Sequence, residues 1–302
     1  PAGTVATWVT EDGTVNSGTL DAAFDALKTA DGGTIYLTDD ATLSKNPWVT
    51  DKITIYGQSH KITADIDGSS GLVYALTVDN GGSLTINDTN LDITGKGNNN
   101  NEYGIDVYHG GELILNQSNV TIQKVSRATI SSGDISKAPG IFDLNNSTIT
   151  ASNIGGSFSN GGTWTIGTGS RVDIDSCGAH GFSASSITVE NGGTVDISNV
   201  GYRGISINDA GGKLEIKSGG VVNVTNAGTA GTHDAVYLSN NATGGLQVVE
   251  GGTLNVTAGA SGNNNIMLTD AAATDSTMEG TIIGNVILPA DSSKHIITYT
   301  SN

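Results

Sequence analysis

Arg203 stands in the stretch NVGYRGISIND, directly after Tyr202 and directly before a glycine-led apolar run. An arginine so placed can serve as the base of a lyase. It would take the proton beside a uronate carboxyl while carboxylates or Ca²⁺ hold the substrate. His180, in GAHGF, occupies the same place one repeat earlier, and Tyr103, Asp234 and Asn265 stand in the corresponding slot of other repeats. A glycosidase needs something different, two carboxyl groups flanking the scissile bond. Outward strand positions offer Asp106, Asp173, Asp175, Asp196 and Glu215. Arg171 lies two residues before Asp173, so that pair reads as neighbours on a solvated strand face. The slot before the glycine holds Tyr, His, Arg, Asp or Asn in turn, which suits a surface edge better than a fixed catalytic set. The candidate ligand-binding residues are therefore Tyr103, Asp106, His180, Tyr202, Arg203, His233, Asp234 and Tyr237, expected along one flank. No catalytic residue and no metal ligand is assigned. Asp65 and Asp67 in ITADIDGSSG echo the start of a Ca²⁺ loop but lack its closing Glu, so no cofactor is expected and Ca²⁺ is only an alternative.

These residues sit within repeats. A glycine doublet followed by alternating residues recurs as NGGSLTIND (80–88), HGGELILNQ (109–117), NGGTWTIGT (160–168), NGGTVDISN (191–199), AGGKLEIKS (210–218) and EGGTLNVTA (250–258). Period-two alternation marks a strand with one buried face, and the glycines mark a turn. A second piece aligns as EYGIDVY, APGIFDL, AHGFSAS, YRGISIN, HDAVYLS and NNIMLTD, and a third as LDIT, VTIQ, VDID and VNVT. Repeats of this kind cannot bury an apolar face alone, so they stack. The predicted fold is all-β: a right-handed single-stranded parallel β-helix, or solenoid, with a short N-terminal capping helix. Its inward rows include Leu84, Ile86, Ile105, Val107, Phe182, Val195, Ile197, Ile205, Ile207, Leu214, Ile216, Val236, Leu238, Leu254 and Val256. A sandwich of hairpins fits less well, because the repeats are unequal and two-residue Asn-Gly or Asp-Gly turns are scarce.

Residues 1–302 are expected to form a single domain. Residues 1–37 would be a cap containing a helix at 20–29, 38–279 the rungs, and 280–302 a terminal rung or cap. Thr19 is a natural N-cap, and Leu20, Ala23, Phe24 and Leu27 share one helical face. Asn clusters at 97–101, 144–147 and 262–265 fall at turns, where stacked amides can form ladders.

Composition narrows the partners. The formal net charge is −17, from 13 Lys+Arg against 30 Asp+Glu. That excludes nucleic acid as a partner, since binding to it rests on basic side chains, and disfavours anionic lipid. The single cysteine, Cys177, excludes an internal disulfide and reads as a small buried hydrophobe. No run of about 18 apolar residues is present, so no membrane insertion is expected. No leader is visible at PAGTVATWVT, consistent with a processed or excised chain.

The run from the AAFDAL helix into GGTIYL and then ITIYG, followed by the GIxV strands, resembles the pectin-lyase-like right-handed β-helix superfamily. The glycine doublets and the Asn- and Thr-rich style look most like its adhesin-type members on bacterial surfaces. The resemblance implies a secreted or cell-surface domain that displays or binds, with a glycan or host surface protein as partner, rather than an enzyme. The alternative is a polysaccharide lyase or glycoside hydrolase working along the flank. The polygalacturonase-type pattern is absent apart from the partial echo GAHG at 178–181, and Asp39 and Asp40 lie near the cap. Fold alone does not give function.

Overall fold

The computed structural model describes residues 3–97, 101–131, 138–257, 265–289 and 298–299. The chain divides into two compact units, Pro1–Ala151 and Ser152–Asn302. Each is built on the same plan of three parallel sheets, visited in turn by successive coils of chain.

In the first unit, the helix Leu20–Lys28 begins at Thr19, whose hydroxyl accepts the Ala22 N–H at 3.2 Å. Its buried face is Leu20, Ala23, Phe24 and Leu27, as the spacing predicts. Ala6–Thr10 pairs antiparallel with Val15–Gly18 and Gly32–Leu37. From there pairing is parallel. The first sheet runs through Gly32–Leu37, Lys52–Tyr56, Ser83–Asn87, Glu112–Asn116 and Ile141–Asn145. The second holds Ala41–Thr42, Lys61–Ile66, Asn90–Gly95 and Asn119–Gln123. The third holds Trp48–Val49, Val73–Val78, Glu102–Val107 and Arg127–Ser131.

The second unit repeats the plan. Its first sheet has Thr163–Ile166, Ser186–Val189, Lys213–Ile216 and Gly245–Val248. Its second has Arg171–Cys177, Thr194–Val200, Val221–Ala227 and Thr253–Thr257. Its third has Ser159–Gly161, Phe182–Ala184, Ile205–Ile207, Val236–Leu238 and Asn265–Leu268. The fold is thus a parallel β-helix, and the right hand is the one that parallel crossover connections take. All the inward residues named from the sequence are at most 2% exposed. Each coil buries its apolar row only against the coils above and below.

Three readings of the repeat need correction. The glycine doublets do not mark one sheet. Those at 81–82, 110–111 and 211–212 lead into first-sheet strands, while those at 192–193 and 251–252 lead into the second. The cause is local. At each corner the fourth turn residue donates to the first, as in Gly82 N–H to Asp79 and Gly252 N–H to Val249, both at 2.9 Å. Gly81 holds φ +74°, and a Cβ on Gly82 would come within 2.7 Å of the Val49 carbonyl of the coil beneath. Any corner with that shape selects the doublet, whichever sheet follows. APGIFDL, read as a second-piece strand beside EYGIDVY and YRGISIN, lies in the first sheet instead of the third, with Leu113 opposite Phe142. NNIMLTD is slipped by one residue: Val236 faces Ile266, which sets Asn265 opposite Ala235 rather than Asp234.

Other corners use left-handed non-glycine residues. Asp88, Gln117 and Asn146 share one corner, and Asn153, Ser176, Asn199 and Asn226 another, all with φ between +46° and +62°. Short polar side chains tolerate that region. An amide ladder runs beside the first corner, Asn116 Nδ2 donating to Asn87 Oδ1 at 2.9 Å and Asn145 Nδ2 to Asn116 Oδ1 at 3.1 Å. Of the Asn clusters named from the sequence, 98–100 and 262–264 lie outside the described residues. Of the expected terminal rung, Thr281–Ile283 and Asn285–Ile287 extend the second and third sheets of the second unit, while 290–297 and 300–302 lie outside the described residues.

Candidate functional site

The eight residues singled out from the sequence fall in different units: Tyr103 and Asp106 in the first, the other six in the second. In the second unit the third-sheet strands begin at a loop edge. There the Gly181 N–H donates to the Arg203 carbonyl and the Arg203 N–H to His180 Nδ1, at 3.0 and 3.3 Å. Successive coils thus bring His180, Tyr202 and His233 together. The Tyr202 ring lies 5.5 Å from His180 and 4.7 Å from His233, centroid to centroid, and Tyr202 is 40% exposed. Arg203 turns its guanidinium over the Tyr237 ring at 4.0 Å. This is close cation–π range. Its buried Nε has no hydrogen-bond partner. Among the described residues no carboxylate lies within ion-pair distance of Arg203. Asp234 instead accepts from Asn265 Nδ2 at 3.3 Å. Burial, followed by the charge of Arg203 and then of His233, pushes His180 down to about 4, so it is neutral near pH 7. This edge is an imidazole and aromatic surface with a cation stacked beside it. Its one acid in register with Arg203, Asp234, is hydrogen-bonded to Asn265 and not ion-paired with the guanidinium.

The first unit holds a different arrangement at the far end of its third-sheet strands. Trp48 pairs with Thr77, and Thr77 with Asp106, across three successive strands. Ile105 and Val107 point into the core, so Asp106 points outward. The outward acids were expected on a solvated face, and Asp173 meets that expectation, ion-paired with Arg171 at 3.2 Å. Asp106 does not: it is only 6% exposed. Its carboxyl has no hydrogen-bond or ion-pair partner among the described residues. Burial, and then the negative charge of nearby Asp79, pushes it up to about 7.

Asp79 is itself buried and fully engaged. It accepts from the Trp48 indole N–H at 3.3 Å, from the Asn80 N–H at 2.7 Å and faces His109 Nδ1 at 2.9 Å. A carboxylate at Nδ1 places the imidazole proton there and leaves Nε2 as an acceptor. His109 sits in a left-handed corner, φ +51°, with its ring 4.3 Å from that of Tyr108. Burial first, then the charges of Asp79 and Asp106, pushes the Tyr108 hydroxyl up to about 12. At the near end of the same strands Tyr74 stacks on Tyr103 at 5.4 Å and Arg127 lies 5.9 Å from the Tyr103 ring. The sequence reading found Tyr103 and Asp106 but missed Trp48, Asp79, Tyr108 and His109. YHGG was read only as a turn, although a Tyr-His pair at a turn that elsewhere carries Asn, Ala or Glu before the doublet was the available signal.

Two further groups are structural. Glu102, fully buried, accepts the Gly68 and Gly97 N–H groups at 3.1 and 2.9 Å. Asp67, of the ITADIDGSSG segment that echoes a Ca²⁺ loop, caps the short turn 68–70 through the Ser69 N–H and is ion-paired with Lys96. The side chains of Asp39, Asp40 and His60 come within 4.8 Å of one another on the surface, with Asp40 accepting the Lys61 N–H. Cys177 is buried, and burial pushes its thiol up to about 12.

No protein-family model and no curated protein sequence matches the chain. Among solved structures the chain is similar to the A-module of the mannuronan C-5 epimerase AlgE4 of Azotobacter vinelandii. That match has 14% identity over 93% of this chain and 94% of that one, with a TM-score of 0.28.

Proposed function

We propose that this chain is a β-helical domain of a secreted or cell-surface bacterial protein, and that it engages glycan along the third-sheet edge of its second unit without doing chemistry there. The observation that carries this reading is the state of Arg203. Its guanidinium lies over the Tyr237 ring, and among the described residues no carboxylate is ion-paired with it; Asp234, stacked in register on Arg203 in the next coil, accepts from Asn265 instead. A lyase base needs a substrate carboxylate held by Ca²⁺ or by cations, and a hydrolase needs two carboxyl groups in reach of one bond. Neither set surrounds Arg203. Tyr202, half-exposed between two imidazoles, instead offers the flat apolar face with polar edges that sugar rings stack on. The rigid stack of coils suits display of such an edge.

The test is binding to an immobilised glycan panel, with Tyr202→Ala and Arg203→Ala alongside the parent chain. Retention of a glycan by the parent and its loss in Tyr202→Ala is expected. Formation of unsaturated product from uronate polymers, with or without Ca²⁺, and its loss in Arg203→Ala would overturn the non-catalytic reading.

A further inference from the structure

The first unit carries a second constellation that the second-unit edge does not explain. Trp48 is 44% exposed, an unusual position for a tryptophan, yet its indole is not free to swing. The N–H is tied to Asp79 at 3.3 Å, and Asp79 is fixed in turn by His109 and the Asn80 N–H. An exposed aromatic plane held by its polar edge is pre-organised for stacking, with little rotamer freedom left to lose on binding. Two strands along the same outward row lies Asp106, more than nine-tenths buried and without a hydrogen-bond or ion-pair partner among the described residues. A buried polar group with no partner is costly, and it marks a place where a ligand group completes the hydrogen bonding.

We propose that Trp48, Asp79, Asp106 and His109 form a binding site for an uncharged pyranose unit of a neutral polysaccharide. The sugar's C–H face lies on the Trp48 indole, and its hydroxyls meet the Asp106 carboxyl and the free Nε2 of His109. An uncharged sugar is specified by the charge already present. Asp79 brings a buried negative charge to the site, and the chain as a whole carries −17. A uronate or sulfated sugar would enter against both. Asp106 in its neutral, protonated form can donate to a sugar oxygen, a use of a buried carboxylic acid that an apolar setting favours. The neighbouring Tyr108 hydroxyl stays protonated and supplies a further donor or acceptor.

The test uses the full chain in native affinity gels containing xyloglucan, galactomannan or mixed-linkage β-glucan, with polygalacturonate as the anionic control. At least one neutral polymer should retard the protein. Trp48→Ala should weaken that retardation by about tenfold or more, while Trp48→Tyr keeps part of it. Trp48→Ala also takes a hydrogen bond from buried Asp79 and should lower the melting midpoint, so the proteins are compared well below their midpoints, which separates lost binding from lost fold. Tyr202→Ala distinguishes the two sites: retardation kept there but lost in Trp48→Ala assigns binding to the first unit. Three results would sink the inference: no retardation by any neutral polymer, retardation by polygalacturonate alone, or neutral-polymer binding untouched in Trp48→Ala. If the last came with loss in Tyr202→Ala, the second-unit reading would stand and this one would fall.

Discussion

Replacing Asp106 by Asn tests the electrostatics of the first unit directly. Asn keeps the shape of the carboxyl and removes its charge. In the unfolded chain Asp106 loses its proton near the ordinary value of 3.8, whereas burial and Asp79 hold it to about 7 in the folded state. Between those values the folded state binds more protons than the unfolded, so stability falls as pH rises and then levels above about 7. The interval is about three units, and each unit is worth 1.36 kcal/mol. The full penalty at pH 8 is therefore about 4 kcal/mol, a large share of the stability of an ordinary domain. Asp106→Asn does not suffer it. Urea unfolding of both proteins, followed by tryptophan fluorescence from about pH 4 to about pH 8, isolates the effect, because titrating groups distant from Asp106 cancel in the difference and leave Asp106 with its coupling to Asp79. The variant should gain on the parent steadily with pH, by about 3–4 kcal/mol in all. A difference between the two that stays constant within about 1 kcal/mol across the range would refute the reasoning, since no buried charge would then be forming.

Two further outcomes are expected. His180 has its proton affinity lowered by burial and by Arg203, so the unfolded chain binds a proton that the folded chain refuses as pH falls from about 6.5 towards 4. His180→Gln should flatten that acid loss of stability, and an acid limb identical to the parent's by thermal melting would contradict the assignment. Gly82→Ala would press a methyl to 2.7 Å from the Val49 carbonyl and the Thr50 backbone. Overpacking of that kind costs about 1–3 kcal/mol, to be read as a lowered urea midpoint, whereas an unchanged midpoint would mean the coils do not approach as closely as described.

The fold was legible because it is written in periodicity. Alternation every second residue placed the core rows, and Thr19 with Leu20, Ala23, Phe24 and Leu27 placed the capping helix. What misled was the glycine doublet, taken as the label of one strand. It labels a corner geometry, a positive φ followed by a close backbone approach, and the chain uses that corner before two different sheets. APGIFDL and NNIMLTD went astray for a related reason. A short strand of apolar and small residues carries no mark of which sheet it joins, and a slip of one residue is decided by pairing with the coil beneath.

The site was less legible, and Asp106 shows why. In sequence it is one of several outward acids, indistinguishable from Asp173. What separates them is which charged and aromatic groups stand beside each one, and some of these come from the adjacent coils. Asp173 has Arg171 in reach, while Asp106 has Asp79, Tyr108 and a row leading to Trp48. Tyr108 follows on the same coil, but Asp79 and Trp48 come from the two preceding coils, in stretches that carry no mark of their meeting in sequence. Stacking converts such separations into contacts of one rung, so an outward position in a β-helix takes its chemistry from the coils above and below rather than from its own strand. Arg203 makes the same point in reverse. Its isolation in an acidic chain suggested a catalytic base. Yet the adjacent coils set Tyr237 under its guanidinium and His180 against its N–H, while Asp234 in the next coil is held by Asn265, and that leaves it a role in shaping a surface.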